Sequence, residues 1–163
     1  MNDPIGSKES DALKLENQLC FLLYTASRKM TSAYRPLLTE LNLTYPQYLV
    51  MLVLWEYFDD VATIRSKQGL KVGVISEKIQ LDNGTLTPLL KRLETQGLVT
   101  RARDLEDERV VRIGLTQAGI QLKKRAGKIP ETMLCNSGLN ADQFAEIYAE
   151  LKVVLKKIPG MVG

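Results

Sequence analysis

Between Leu13 and about Tyr34 the chain repeats an apolar residue every three or four positions: Leu15, Leu19, Leu22, Ala26, Met30 and Ala33. That spacing marks one face of an α-helix. A second stripe, Leu13, Cys20, Tyr24, Ser27, Thr31, Tyr34 and Leu38, lies beside it, and Lys14, Arg28, Lys29 and Arg35 take the remaining side. So wide an apolar arc exceeds what one neighbour covers. One stripe is expected to face the subunit's own core and the other a partner subunit. Pro36 is expected to kink or end this helix, because it lacks an amide donor and its ring clashes with the preceding turn.

Leu43-Thr44-Tyr45-Pro46-Gln47-Tyr48 opens a second helix. Thr44 and Gln47 make a capping box, Leu43 and Tyr48 a hydrophobic staple, and Pro46 sits in the first turn. Leu49 to Trp55 is apolar nearly all round and belongs at the centre of the core. Asp59 to Val72 is weakly patterned. Val61-Ala62-Thr63-Ile64 and Leu70-Lys71-Val72 fit two short strands around a Lys67-Gln68-Gly69 turn. A short helix, Gly73 to Gln80, then a break at Leu81-Asp82-Asn83-Gly84, then a helix to Gln96 follow, with Gly97 placed to end it.

Leu98 to Arg103 and Val110 to Leu115 read as strands around the polar tip Asp104-Leu105-Glu106-Asp107-Glu108. Thr116 caps a helix that runs into Lys123-Lys124-Arg125 and is bounded by Gly127 and Pro130. Pro130 to Gly138 reads as a mobile link. In the last helix Asn140 and Gln143 form a capping pair, and Leu139 and Phe144 can staple it. Phe144, Ile147, Tyr148, Leu151, Val154, Leu155 and Ile158 line one face of it.

Short helix, tight break, second helix and charged hairpin together make the pattern of a winged helix-turn-helix, whose second helix enters the DNA major groove. That helix begins Asn83-Gly84-Thr85-Leu86-Thr87-Pro88. Asn83, Thr85 and Thr87 have hydrogen-bonding side chains suited to base edges. Leu89, Leu90 and Leu93 pack it on its own domain, and Lys91 and Arg92 suit phosphate. The wing carries Arg101, Arg103, Arg109 and Arg112 balanced by Asp104, Glu106, Asp107 and Glu108. Arg109, oriented by Asp107, is the candidate for the minor groove.

Composition narrows the chemistry. The 163 residues carry a formal net charge of +3 and contain no histidine. The usual general base and the commonest metal ligand are therefore missing. Hydrolases of the Ser-His-Asp or Cys-His type are excluded, and no metal site and no cofactor are expected. Two cysteines, Cys20 and Cys135, are too few for a secreted disulfide scaffold. Arg65, Lys67, Lys71 and Lys78, and separately Lys123, Lys124, Arg125 and Lys128, form basic clusters. Such clusters serve either as solvated helix faces or as contacts to an anionic polymer. No apolar run long enough to span a membrane occurs. The polar start, Met1 to Asp11, has no apolar signal region, so the expected compartment is the cytoplasm. Cys20 lies within Gln18-Leu19-Cys20-Phe21-Leu22-Leu23-Tyr24, where a cysteine is either a small core hydrophobe or a reactive thiol.

Arg103-Asp104-Leu105-Glu106-Asp107-Glu108-Arg109 followed by Leu115-Thr116-Gln117-Ala118-Gly119 resembles the wing and exit of MarR-family transcription regulators. Leu81 to Glu94, Leu15 to Phe21 and Leu43 to Tyr48 resemble the organic hydroperoxide sensors of that family, the OhrR type. The resemblance covers most of residues 13 to 158. It implies that Cys20 senses peroxide and that Tyr34 and Tyr45 hydrogen-bond its sulfur, one of them from the other subunit. Tyr24 shares the Cys20 stripe. Cys135 resembles the second thiol of the two-cysteine subtype, in which the disulfide joins subunits. The stretch between Trp55 and the helix-turn-helix is longer than is usual for the branch, with the added residues expected in Asp60 to Val72.

The expected fold is mostly α, a winged helix-turn-helix over 44–116. Its helical dimerisation platform is built from 13–43 and 117–163, after a flexible arm at 1–12. The expected function is a homodimeric repressor that binds a pseudopalindromic operator in double-stranded DNA when reduced. Organic hydroperoxide would release it by oxidising Cys20, which then pairs with Cys135. A MarR-type repressor induced by a small aromatic ligand is one alternative. A thiol peroxidase is another, although it would need neither wing nor recognition helix.

Overall fold

The computed structural model describes residues 9–58 and 69–158. Packing divides the chain after Pro36 into residues 1–36 and residues 37–163. Of the sequence expectations, the arm at residues 1–8 and the strand Val61-Ala62-Thr63-Ile64 lie outside the described residues.

Near the start, α1 (Glu9–Ala12) and a 3-10 turn (Leu15–Asn17) precede α2 (Leu19–Thr39). The expected helix from Leu13 therefore begins later, at Leu19. Gln18 has extended backbone (φ −91°, ψ 115°). Its side-chain amide donates to the carbonyls of Ala12 and Lys14, while the Asn17 amide donates to the Asp11 carbonyl at 2.8 Å. Side chains thus take the carbonyls that a continuing helix would have used. Leu13 is left 87% exposed. Pro36, expected to kink or end the helix, lies inside α2, which continues to Thr39. A proline inside a helix loses the bond to the carbonyl four residues back and crowds that turn, yet here the helix runs on for three more residues.

In residues 37–163, α3 (Tyr45–Tyr57) is the central element. Its capping box forms as the sequence predicts: the Gln47 amide donates to Thr44 Oγ1 at 3.4 Å and the Thr44 amide to Gln47 Oε1 at 2.8 Å. Tyr48, Val50, Met51, Val53, Leu54 and Trp55 are buried. The two-residue strand β1 (Leu70–Lys71) leads directly into α4 (Val72–Ile79), then α5 (Asn83–Thr95). Gly97 follows with φ +71°, the left-handed conformation that ends a helix. Strands β2 (Val99–Arg103) and β3 (Val111–Leu115) form an antiparallel hairpin in register from Val99 opposite Leu115 to Arg103 opposite Val111. The short β1 pairs with β3 on its other side, Leu70 opposite Ile113, so the strand order is β1-β3-β2.

Thr116 caps α6 (Gln117–Ala126) by accepting from the Gly119 amide at 3.0 Å. Two of the basic residues of α6 serve packing. Lys123 donates to the Trp55 carbonyl at 3.2 Å and Arg125 to the Glu40 carbonyl at 2.9 Å. The stretch expected to be a mobile link is instead α7 (Ile129–Ser137), with Pro130 in its first turn, where the missing amide costs nothing, and Gly138 (φ +70°) at its end. Finally α8 (Ala141–Lys157) starts from the predicted Asn140–Gln143 capping box and buries none of its residues.

Candidate nucleic-acid interface and thiol sites

The turn between α4 and α5 is built tightly. Gln80 adopts the left-handed conformation (φ 53°), and Ser76 Oγ donates to the Leu81 carbonyl at 2.5 Å. Asp82 then caps α5, accepting from the Thr85 amide at 2.9 Å and the Thr85 hydroxyl at 2.7 Å. These bonds, the hydroxyl first, hold the Asp82 carboxyl below its ordinary pKa. Leu86, Leu90 and Leu93, one face at helical spacing, are fully buried and fix the helix on its domain. Leu89, expected among them, is only half-buried, and Leu86 takes its place.

This arrangement sorts the expected DNA-reading residues. Asn83, Thr85, Lys91 and Arg92 are exposed and Thr87 is half-buried. The Thr85 proton goes to Asp82 and the Thr87 proton to the Asn83 carbonyl at 2.7 Å. Both hydroxyls therefore keep only acceptor capacity toward a ligand. Asn83, Thr87 and Arg109 are brought together around a cleft of about 480 Å3, shared with Lys71 and Arg101. Thr85 and Lys91 do not line it. Arg92 borders a separate cleft with Thr44, Gln47 and Gln96. From sequence Lys71 is only one member of a basic cluster; the pairing of β1 with β3 is what brings it to this cleft.

The wing holds three of its four arginines internally, two of them in ion pairs. Arg101 pairs with Glu94 of α5 at 3.3 Å, and Arg112 pairs with Asp104. Asp104, expected only as part of the polar tip, is buried: its side chain is 5% exposed. It accepts from the amides of Glu106 at 2.9 Å and Asp107 at 3.2 Å as well as from Arg112. The Glu106 amide foremost, then Arg112, holds this carboxyl below its ordinary pKa. Asp107 also differs from expectation. It accepts from the backbone amide of Arg109 at 3.0 Å, so it shapes the tip and does not grip the guanidinium. Arg103 donates to the Glu108 carbonyl at 3.2 Å.

Both thiols are free and exposed. Because α2 begins at Leu19, Cys20 is the second residue of its helix, inside the first turn and not past it as the sequence suggested. The positive end of a helix dipole favours negative charge there. Tyr24 follows one turn on. Arg28 donates to its phenol oxygen at 3.1 Å and sits 5.6 Å from the ring centre. Tyr34 lies on the same helix roughly 21 Å farther along the axis, too far to reach the Cys20 of its own α2. Tyr45 opens α3, where burial raises its pKa and keeps the phenol protonated. Cys135 occupies the last turn of α7. Among the described residues no cluster of His, Cys, Asp or Glu is placed to hold a metal ion.

Comparison with known proteins agrees with this geometry. Residues 32–126 match the family described as transcriptional regulator SarA/Rot. An organic hydroperoxide resistance transcriptional regulator of Bacillus subtilis is 48% identical over 148 residues, covering 91% of this chain and 94% of that one. Reduced AbfR bound to DNA, a protein of Staphylococcus epidermidis, superposes with a TM-score of 0.69 at 34% identity, covering 91% of this chain and 97% of its own. A disulfide-formed AbfR superposes with a TM-score of 0.58 at 33% identity, covering 90% and 96%.

Proposed function

Because the chain belongs to the SarA/Rot family of transcriptional regulators, built on the winged helix-turn-helix of MarR-type DNA-binding proteins, we propose that it is a redox-sensing repressor. A reduced homodimer binds a pseudopalindromic operator with α5 in the major groove of each half-site, about one helical turn apart. Asn83, Thr85 and Thr87 meet base edges, Lys91 and Arg92 phosphates, and Arg109 the minor groove. The apolar, exposed faces of α2 and α8 form the dimer interface. The protein acts in the cytoplasm, where thiols are kept reduced. No described helix is long and apolar enough to cross a membrane.

The input is an organic hydroperoxide. The observation that carries this reading is Cys20, exposed in the first turn of α2, with Tyr24 one turn on. The Cys20 thiolate attacks the peroxide O–O bond. It becomes a sulfenic acid, and the peroxide leaves as an alcohol. Cys135 of the partner subunit then condenses with it, forming the disulfide and releasing water. Tyr34 and Tyr45 donate hydrogen bonds to the sulfur, one of them across the dimer. A disulfide needs Cα atoms roughly 4.4–6.8 Å apart; if the reduced dimer holds the two sulfurs farther apart, its formation moves the helices that carry them and separates the recognition helices from their half-sites. The hydroperoxide named in the description of the Bacillus subtilis relative, and the reduced DNA-bound and disulfide forms of AbfR, support this reading.

The test is a gel shift on the protein's own upstream DNA with and without cumene hydroperoxide, beside non-reducing electrophoresis. Wild type should release DNA as a cross-linked dimer appears. Cys20→Ser should stay bound, and Cys135→Ser should form no cross-link. DNA binding that survives the oxidant while the cross-link forms would sink the mechanism. One observation favours a second reading. A largely apolar cleft of about 270 Å3, lined by Tyr48, Leu52, Trp55, Ala126 and Pro130 among others, suits a small aromatic ligand. Under that reading Cys20→Ser leaves induction unchanged.

A further inference from the structure

The cross-strand ladder of the wing ends at Arg103 opposite Val111. Beyond it the tip is held by two backbone bonds, from the Asp104 amide to the Val110 carbonyl at 2.8 Å and from the Val110 amide to the Asp107 carbonyl at 2.9 Å, and by the Asp104 carboxylate. One oxygen of that carboxylate gathers the Glu106 and Asp107 amides, and the other takes Nε of Arg112. Asp107, so placed, accepts from the Arg109 amide. The contacts therefore run in one line from Arg112 through Asp104 and Asp107 to Arg109.

Arg112 has a second attachment. Its other arm donates to the Gly69 carbonyl at 3.0 Å, immediately before β1. The backbone there is fixed by close approach, since a Cβ on Gly69 would lie 2.7 Å from the Ile113 carbonyl carbon and oxygen. The guanidinium thus joins the buried carboxylate of the tip to the far edge of the sheet. A planar fork serves two acceptors in set directions, which an ammonium does not.

We infer that Arg112 is a positioning residue that holds the wing tip, and with it Arg109, in the DNA-ready position before DNA arrives. The inference rests on the proposed contact of Arg109 with DNA. Although basic and in the wing, Arg112 acts through Arg109 and contacts no phosphate.

A double-mutant cycle on operator binding tests this, with salt dependence and melting temperature measured for each variant. Arg109→Ala should weaken binding roughly tenfold. Arg112→Met should weaken it by a comparable factor, and the double variant should be no weaker than Arg109→Ala alone. Arg112→Lys should recover melting temperature more than affinity, and Asp104→Asn should reproduce the affinity loss. If Arg112→Met does not fold, Asp104→Asn takes its place in the cycle. Losses that multiply in the double variant overturn the inference, as does unchanged affinity in folded Arg112→Met. If Arg109→Ala itself binds normally, the DNA contact of Arg109 falls and the inference falls with it. An effect of Arg109→Ala without one of Arg112→Met sinks the inference alone.

Discussion

The helices α5 and α8 carry the same kind of apolar stripe, and they treat it oppositely. Leu86, Leu90 and Leu93 of α5 are fully buried. In α8, Phe144, Ile147, Tyr148, Leu151 and Leu155 are all exposed, between 41% and 65%. A periodic stripe specifies that a face must be covered but not by what. The helix proposed to read DNA covers its stripe within one chain. The last helix, although properly capped, leaves a row of aromatic and aliphatic side chains in water, and a row of that kind marks an interaction surface.

The largest expected effect comes from breaking the covered side. Leu86→Ala removes a fully buried side chain and should cost about 2–5 kcal/mol, seen as a lower melting temperature together with lost operator binding. On the uncovered side, Ile147→Asp should leave the fold of one chain intact. It should shift sedimentation from dimer toward monomer, and an unchanged dimer would remove α8 from the interface. The two capping boxes sharpen the contrast. Thr44→Ala should cost about 1 kcal/mol at any protein concentration. The loss from Asn140→Ala should instead depend on concentration, because in the proposed dimer α8 is stabilised by what it packs against. Equal, concentration-independent losses would contradict the division.

The smallest effect is set by pH. The folded pKa of Asp104 is depressed, so its contribution to wing order is complete above the ordinary carboxylate value of about 4. It is lost as the pH falls through the lower, folded value. Amide exchange at Glu106 and Asp107, taken relative to its intrinsic rate at each pH, should accelerate in that acid range in wild type. In Asp104→Asn it should already be fast at neutral pH. Exchange that ignores acid would remove Asp104 as the organiser of the tip.

Much of the fold was legible because its signals are local. The Thr44–Gln47 and Asn140–Gln143 boxes, Leu90 and Leu93 of α5, Gly97 and the hairpin are each decided within a few residues. The errors came where a side chain chose between local partners or met a distant one. Gln18 and Asn17 bond back to the preceding backbone, and so delay α2 and move Cys20 into its first turn. Pro130 opens a helix in place of a break. Burial of Asp104 depends on Arg112 across the hairpin and on Gly69 forty-three residues before it. No periodicity encodes that. The hydroxyls of Thr85 and Thr87 look free in sequence, and their donation to Asp82 and the Asn83 carbonyl is a rotamer choice.

Trp55 is the single tryptophan of the chain. It is 4% exposed, and its indole donates from Nε1 to the Gly119 carbonyl at 2.9 Å, joining α3 to α6. The protein therefore carries one tryptophan fluorophore, which can be excited selectively over its six tyrosines, shielded from solvent at the seam between α3 and the start of α6. A rearrangement that pulls α6 from α3 breaks that hydrogen bond and wets the indole. Emission should then shift to the red without any label, so stopped-flow fluorescence can time the opening of this seam against the loss of DNA in a single sample.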